Sequence, residues 1–259
     1  MRTDKRHALR RRGIFLLPNL LTTLALFFGF YAIVSALKSH FGTACLTVFI
    51  AMIFDSLDGR IARMTNTSSA FGAEYDSLSD MVAFGIAPAL IAYSWGLTSL
   101  GKLGWLAAFI YVAATALRLA RFNTQIGRVS KRYFQGVPCP VAAAVMISMI
   151  WTETHYLIIP GLYMNIFTTI ITILMAVLMV STIPYYSFKE IDLKGRVPFV
   201  MILLFIVLCV LIAIDPPIVI FLGSFAFVLS GPIMFLFNWN KKRRIAGKQL
   251  FTRKHRSHL

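Results

Sequence analysis

Acidic residues are scarce in this 259-residue chain: there are ten, against 26 lysines and arginines. Charged residues of both signs make up 14% of it, too few to coat a soluble domain of this length. Cysteine is scarcer still. Cys45, Cys139 and Cys209 are scattered and odd in number, which argues against a disulfide framework or a zinc site. The five histidines (His7, His40, His155, His255 and His258) form no cluster. No Walker loop, glycine-rich dinucleotide turn or internal repeat occurs, so the common nucleotide-binding loops are excluded.

What the chain has in quantity is apolar sequence, 58% of its residues, with a mean hydropathy of +0.74. The long apolar stretches number about eight, at 14–37, 43–66, 77–96, 103–122, 137–158, 162–183, 197–214 and 216–238. Each approaches the ~20 residues that a helix needs to cross a bilayer. A spanning chain must satisfy its own backbone, and the short alternating segments of a membrane barrel are absent. The expectation is all-α: a polytopic membrane helix bundle with about eight transmembrane helices. It divides into a basic tail at 1–13, a transmembrane domain at 14–238 and a second basic tail at 239–259. The first tail lacks the short apolar run and small-residue cleavage site of a signal peptide, so it is expected to stay on the first helix.

The net charge of +16 raises the possibility of nucleic acid, but its distribution favours membrane topology. With both termini on one side, that side collects 24 of the 26 lysines and arginines, leaving Lys38 and Lys102 outside. This is the positive-inside pattern, which places both termini in the cytoplasm and implies no nucleic-acid partner.

Five of the ten acidic residues lie between Asp55 and Asp80, in a stretch that the same topology turns toward the cytoplasm. Asp55 and Asp58 are three apart, and Asp76 and Asp80 are four apart, so each pair shares a helix face. The segment "TNTSSAFG" reads as a turn that folds the second pair back onto the first. Four carboxylates cannot remain ionised side by side without cations, and an oxygen-only cluster favours Mg²⁺ or Mn²⁺, with Ca²⁺ possible, over zinc. The competing reading pairs these carboxylates with Arg60, Arg63 and the other basic flanks. Gly59 admits a ligand close to the backbone, Ala62 keeps the next turn small, and Arg63 offers a planar fork for phosphate.

The pattern Asp55-x-x-Asp58-Gly59-x-x-Ala62-Arg63, eight residues, Gly72-x-x-x-Asp76-x-x-x-Asp80 resembles the complete signature of the CDP-alcohol phosphotransferase family. All its fixed positions match. The resemblance implies a two-metal site held by Asp55, Asp58, Asp76 and Asp80, with Asp80 also the candidate catalytic base. It implies that CDP-diacylglycerol meets Gly59, Ala62, Arg63, Ser69 and Gly72, with Arg63 at the pyrophosphate. "PNLLTT" resembles the family's Asn-x-x-Thr element and adds Asn19 and Thr22, which read equally well as a helix start with hydroxyls bonded back to the backbone.

"DSLSDMVAFGIAPA", "RLARFNT", "FQGVPCPVAAA" and "LMVSTIPYYSFK" resemble the integral-membrane subgroup of that family that makes phosphatidylserine. This implies transfer of a phosphatidyl group from CDP-diacylglycerol to the hydroxyl of L-serine, with release of CMP. Arg118, Arg121 and Asn123 are then candidates for binding serine, through its carboxylate and ammonium. They read alternatively as topology anchors or lipid-phosphate contacts. Gly136, Pro138 and Pro140 are read as shaping a turn. The resemblance further implies a homodimer in the cytoplasmic (inner) membrane, with membrane lipids as partners. Another acceptor alcohol (glycerol 3-phosphate, inositol or choline) stays open. So does an ion or proton transporter, although its carboxylates should lie nearer the bilayer midplane. A prenyl-diphosphate transferase should carry a second aspartate-rich segment, and residues 81–259 hold only Asp192 and Asp215.

Overall fold

The computed structural model describes residues 2–65, 67, 69–125, 133–156, 161–186 and 199–235. The basic tail at 239–259 and the connection at 189–196 lie outside the described residues. Among those described, nine α-helices dominate: α1 (Arg2–Leu37), α2 (Phe41–Met64), α3 (Ala70–Asp80), α4 (Ala87–Trp95), α5 (Lys102–Gln125), α6 (Cys139–Tyr156), α7 (Gly161–Val180), α8 (Phe199–Ile214) and α9 (Pro216–Phe235). A π-helical stretch, Met81–Ile86, joins α3 to α4 without a break.

Six helical segments are long and apolar enough to cross a membrane: Leu16–Leu37, Phe41–Met64, Ala70–Trp95, Lys102–Thr124, Gly161–Val180 and Pro216–Phe235. The all-α membrane bundle stands, but six segments meet the criterion where eight were expected. The expected spans at 137–158 and 197–214 are helices, for two different reasons outside that set. Thr152, Glu153, Thr154 and His155 dilute the apolar character of α6. The 16 described residues of α8 fall short of a bilayer's thickness. The basic stretch after Met1 continues the helix of α1, as its arginines, lysine and alanine favour. Gly72 belongs to α3, not to the preceding turn, because Ser69 caps that helix by accepting from the Gly72 N–H at 3.0 Å.

The core is built largely of small residues. Ala32 and Ala36 of α1 and Ala44, Val48 and Ala51 of α2 are buried, and residues 142–150 of α6 are buried without interruption. Gly29 lies so close to the π-helical stretch that a Cβ there would sit 2.7 Å from the Ala83 Cα. Without lipid-versus-protein contrast to drive association, such close backbone approach supplies the packing.

The connections after α5 and α7 are tied by a short antiparallel pairing of β1 (Tyr133–Gln135) with β2 (Pro184–Tyr186), in the register Phe134 with Tyr185. Gly136 follows with φ of 73° against the Met179 carbonyl, a position that a side chain could not share. Tyr185 is buried, its hydroxyl donating to the Val228 carbonyl at 3.1 Å and its ring stacked on Phe227 of α9.

Candidate active site

The last turns of α2 carry Asp55, Asp58, Gly59, Ala62 and Arg63, and α3 carries Gly72, Asp76 and Asp80. Between the two helices the chain reverses. The Thr65 N–H donates to the Ile61 carbonyl at 2.9 Å and the Thr67 N–H to the Ala62 carbonyl at 3.0 Å, closing the end of α2. Ser69 then opens α3. Helix α1 is stitched onto this pair by small polar groups. The Ser79 hydroxyl donates to the Thr22 carbonyl at 3.1 Å, and the hydroxyls of Thr23 and Tyr75 lie 2.9 Å apart.

One carboxylate oxygen from each of Asp55, Asp76 and Asp80 lies within 4.8 Å of the others. Three like charges this close favour a cation or shared protons among them. Asp76 Oδ1 is buried with no hydrogen-bond partner. A buried orphan oxygen beside two further carboxylates fits an oxygen-liganded divalent cation, and the absence of sulfur and imidazole from the set does not favour zinc. Asp58 lies outside that close trio. It is buried, and its Oδ2 accepts from the Thr22 hydroxyl at 2.6 Å. Sequence spacing placed four carboxylates together; the fold puts three at one point and the fourth beside it, turned toward α1.

All seven residues expected to meet the donor lipid (Asn19, Thr22, Gly59, Ala62, Arg63, Ser69 and Gly72) line a single cleft. Asp58 and Asp76 also line it, and it encloses ≈ 660 Å³ of empty space, solvent at its mouth included. Its walls are thin where the glycines lie. A Cβ at Gly72 would sit 3.1 Å from Ser69 Oγ and 3.4 Å from Asn19 Oδ1, and one at Gly59 would meet the Arg63 guanidinium at 3.4 Å. Pro18, Thr67 and Ala73 complete the lining. Thr67 gave no signal in the sequence, since it belongs to a turn whose shape, not its spacing, brings it inward.

The three residues expected to meet an acceptor differ sharply. Arg121 Nη1 donates to the Val180 carbonyl at 2.9 Å, closing the C-terminus of α7. The Asn123 amide donates to Glu74 Oε2 at 3.2 Å and to Ser77 Oγ at 3.1 Å, tying α5 to α3. Arg118 keeps a buried donor unclaimed: Nη1 makes a weak contact of 3.6 Å to Cys139 Sγ, and Nε is buried without a partner.

Comparison with known proteins bears on the family of the chain. The sequence pattern of the family described as CDP-alcohol phosphatidyltransferase matches residues 15–184. A CDP-diacylglycerol–serine O-phosphatidyltransferase of Helicobacter pylori is 36% identical over 224 residues, covering 86% of this chain and 92% of its own. The protein of that name from Saccharomyces cerevisiae is 35% identical over 179 residues, 64% of each chain. An archaetidylserine synthase of Methanothermobacter thermautotrophicus is 36% identical over 171 residues, 65% of this chain and 69% of its own. With its aspartates, cleft and turn all inside the matched region, the chain belongs to the CDP-alcohol phosphatidyltransferase family.

Proposed function

We propose that this protein transfers a phosphatidyl group from CDP-diacylglycerol to the hydroxyl of L-serine, yielding phosphatidylserine and CMP. The observation that carries this reading is the single cleft: every residue expected to hold the donor lines it, and it reaches Asp76 of the carboxylate trio. Serine as acceptor is supported by the relatives, whose names differ in the lipid but share serine. Arg118 supports it too, as a cation with an unused donor that suits an acceptor bearing a carboxylate.

Asp55, Asp76 and Asp80 would hold a divalent cation, Mg²⁺ or Mn²⁺, and Asp58 would join them in holding a second. Bound there, the cations would neutralise charge developing on the phosphoryl oxygens. The cleft orients the cytidine diphosphate: the Arg63 fork takes the pyrophosphate, and Asn19, Thr22 and Ser69 offer polar contacts. Gly59, Ala62 and Gly72 leave the backbone open to close approach. Asp80 accepts the proton of the serine hydroxyl. The freed oxygen attacks the phosphorus attached to diacylglycerol, the bond from that phosphorus to CMP breaks, and CMP departs with the electron pair. Arg118 holds the serine carboxylate, while Arg121 and Asn123 keep α5 in place against α7 and α3.

The basic residues that gather on one side of the predicted topology support an inner-membrane location with this site facing the cytoplasm. A homodimer is the proposed assembly, and the exposed apolar residues of α8, Leu203 and Leu204 among them, provide surface for it. The deciding experiment supplies CDP-diacylglycerol with serine, glycerol 3-phosphate, inositol or choline in turn and measures CMP. Release with serine alone is expected; release with a different acceptor and not serine would overturn the assignment.

A further inference from the structure

Proline inside a helix withholds an N–H from the carbonyl four residues earlier and presses its ring against that carbonyl. Pro88 lies in the first turn of α4, so the carbonyl it deprives is that of Phe84, in the π-helical stretch Met81–Ile86. This stretch begins immediately after Asp80, and its wider turn, in which the Ala87 N–H bonds back to the Val82 carbonyl, makes room for the ring. Phe84 is completely buried, where a carbonyl left without a donor is costly. The missing donor comes from another helix. Tyr111 of α5, also fully buried, gives its hydroxyl to the Phe84 carbonyl at 3.0 Å.

Two close contacts hold the same stretch from either side. Gly29 of α1 admits Ala83, and a Cβ at Gly85 would sit 3.0 Å from the Thr115 Cγ2 of α5. On its other side, Ser79 fixes α3 to the Thr22 carbonyl. The segment carrying Asp76 and Asp80 is thus tied to α1 through Ser79 and Tyr75 and to α5 through Asn123, and just beyond Asp80 Tyr111 adds a tie from α5. That last tie exists because Pro88 creates the vacancy that Tyr111 fills.

We infer that Tyr111 is a positioning residue for the cation site: by donating to the Phe84 carbonyl it fixes the π-helical turn, and through it the placement of Asp80 toward Asp55 and Asp76. The residue touches neither substrate nor cation. The inference rests on the proposed function only in taking the aspartates as cation ligands, so the test reads Mn²⁺ binding directly, by electron paramagnetic resonance on the purified full chain in detergent. Tyr111→Phe removes the hydroxyl and keeps the ring; it is expected to weaken Mn²⁺ binding about tenfold. The matched control is Tyr185→Phe, which deletes the same kind of buried hydroxyl-to-carbonyl bond, at Val228, away from the aspartates. It is expected to leave Mn²⁺ binding unchanged.

Pro88→Ala restores a backbone donor for Phe84, so adding Tyr111→Phe to it should change Mn²⁺ binding by less than about twofold. That comparison holds even if Tyr111→Phe alone fails to fold. Equal weakening by the Tyr111 and Tyr185 changes, no weakening by Tyr111→Phe, or a full effect in the Pro88→Ala background would each overturn the inference. Wild-type protein that binds no Mn²⁺ would instead overturn the cation site itself.

Discussion

Asp76 and Asp215 are the same residue type in the same apolar bundle, and their surroundings are opposite. Asp215 stands before α9, where Oδ1 accepts from the Ile218 N–H at 3.3 Å and Oδ2 accepts from the Tyr156 hydroxyl. Both oxygens are committed: Oδ1 caps the start of α9, and Oδ2 joins it to α6. Asp76 lies among other carboxylates with one oxygen buried and unclaimed. A carboxylate whose lone pairs are satisfied by the fold serves the fold. One left with an orphan oxygen in a low-dielectric setting is held ready for something the polypeptide does not supply.

This contrast can be broken most severely at Asp76. Asp76→Asn or Asp55→Asn should lower CMP release about a thousandfold, since each deletes a charge that cation-based stabilisation needs. Chelation of the wild type should do the same and be reversed by Mg²⁺ or Mn²⁺. Activity that survives chelation would place Asp76 in the same structural class as Asp215. The next effect is at Asp80. Asp80→Asn should cut turnover by roughly 10²–10⁴-fold while CDP-diacylglycerol still binds, because the proton acceptor is lost and the cleft is not. Loss of donor binding in step with turnover would make Asp80 a ligand only.

The arginines of α5 sharpen the same contrast with cations in place of anions. Arg118→Lys should raise the apparent KM for serine about tenfold with little change for the donor, as one charged fork is replaced by a point charge. Arg121→Lys, which disturbs the tie to Val180, should lower the melting temperature and affect both substrates alike. A serine-selective effect at Arg121 would exchange the two roles. The smallest effect belongs to Asp215→Ala: about 1 kcal/mol of stability through loss of the helix cap, with CMP release per folded molecule unchanged.

The sequence made the aspartate motif readable because fixed i,i+3 and i,i+4 spacings translate directly into a shared helix face. It could not show that Asp58 turns to Thr22, since that depends on where α1 lies, 36 residues away in the chain. For the same reason Arg118, Arg121 and Asn123 looked equivalent until α7 and α3 claimed two of them. Hydropathy located α6 and α8 with the other helices but counted both as full spans, and it did not register the polar end of α6, which a helix wrapped by protein can carry, or the short described length of α8. Pro88 was not singled out in the sequence, and the tyrosine that compensates it sits on α5 and carries no periodic signal.

The hydroxyl hydrogens at the cleft have a further consequence. Thr22 has one, and it is spent on Asp58 and the Pro18 carbonyl, so Thr22 can present only lone pairs to a guest. Ser69 is the reverse. Its oxygen already accepts from the Gly72 N–H, and its hydrogen is free to be given. A guest must therefore offer a donor to Thr22 at α1, while an acceptor at the start of α3 would be met by Ser69. An acceptor presented to Thr22 would meet only lone pairs, whereas one presented to Ser69 would meet a hydrogen, so the cleft reads direction as well as shape.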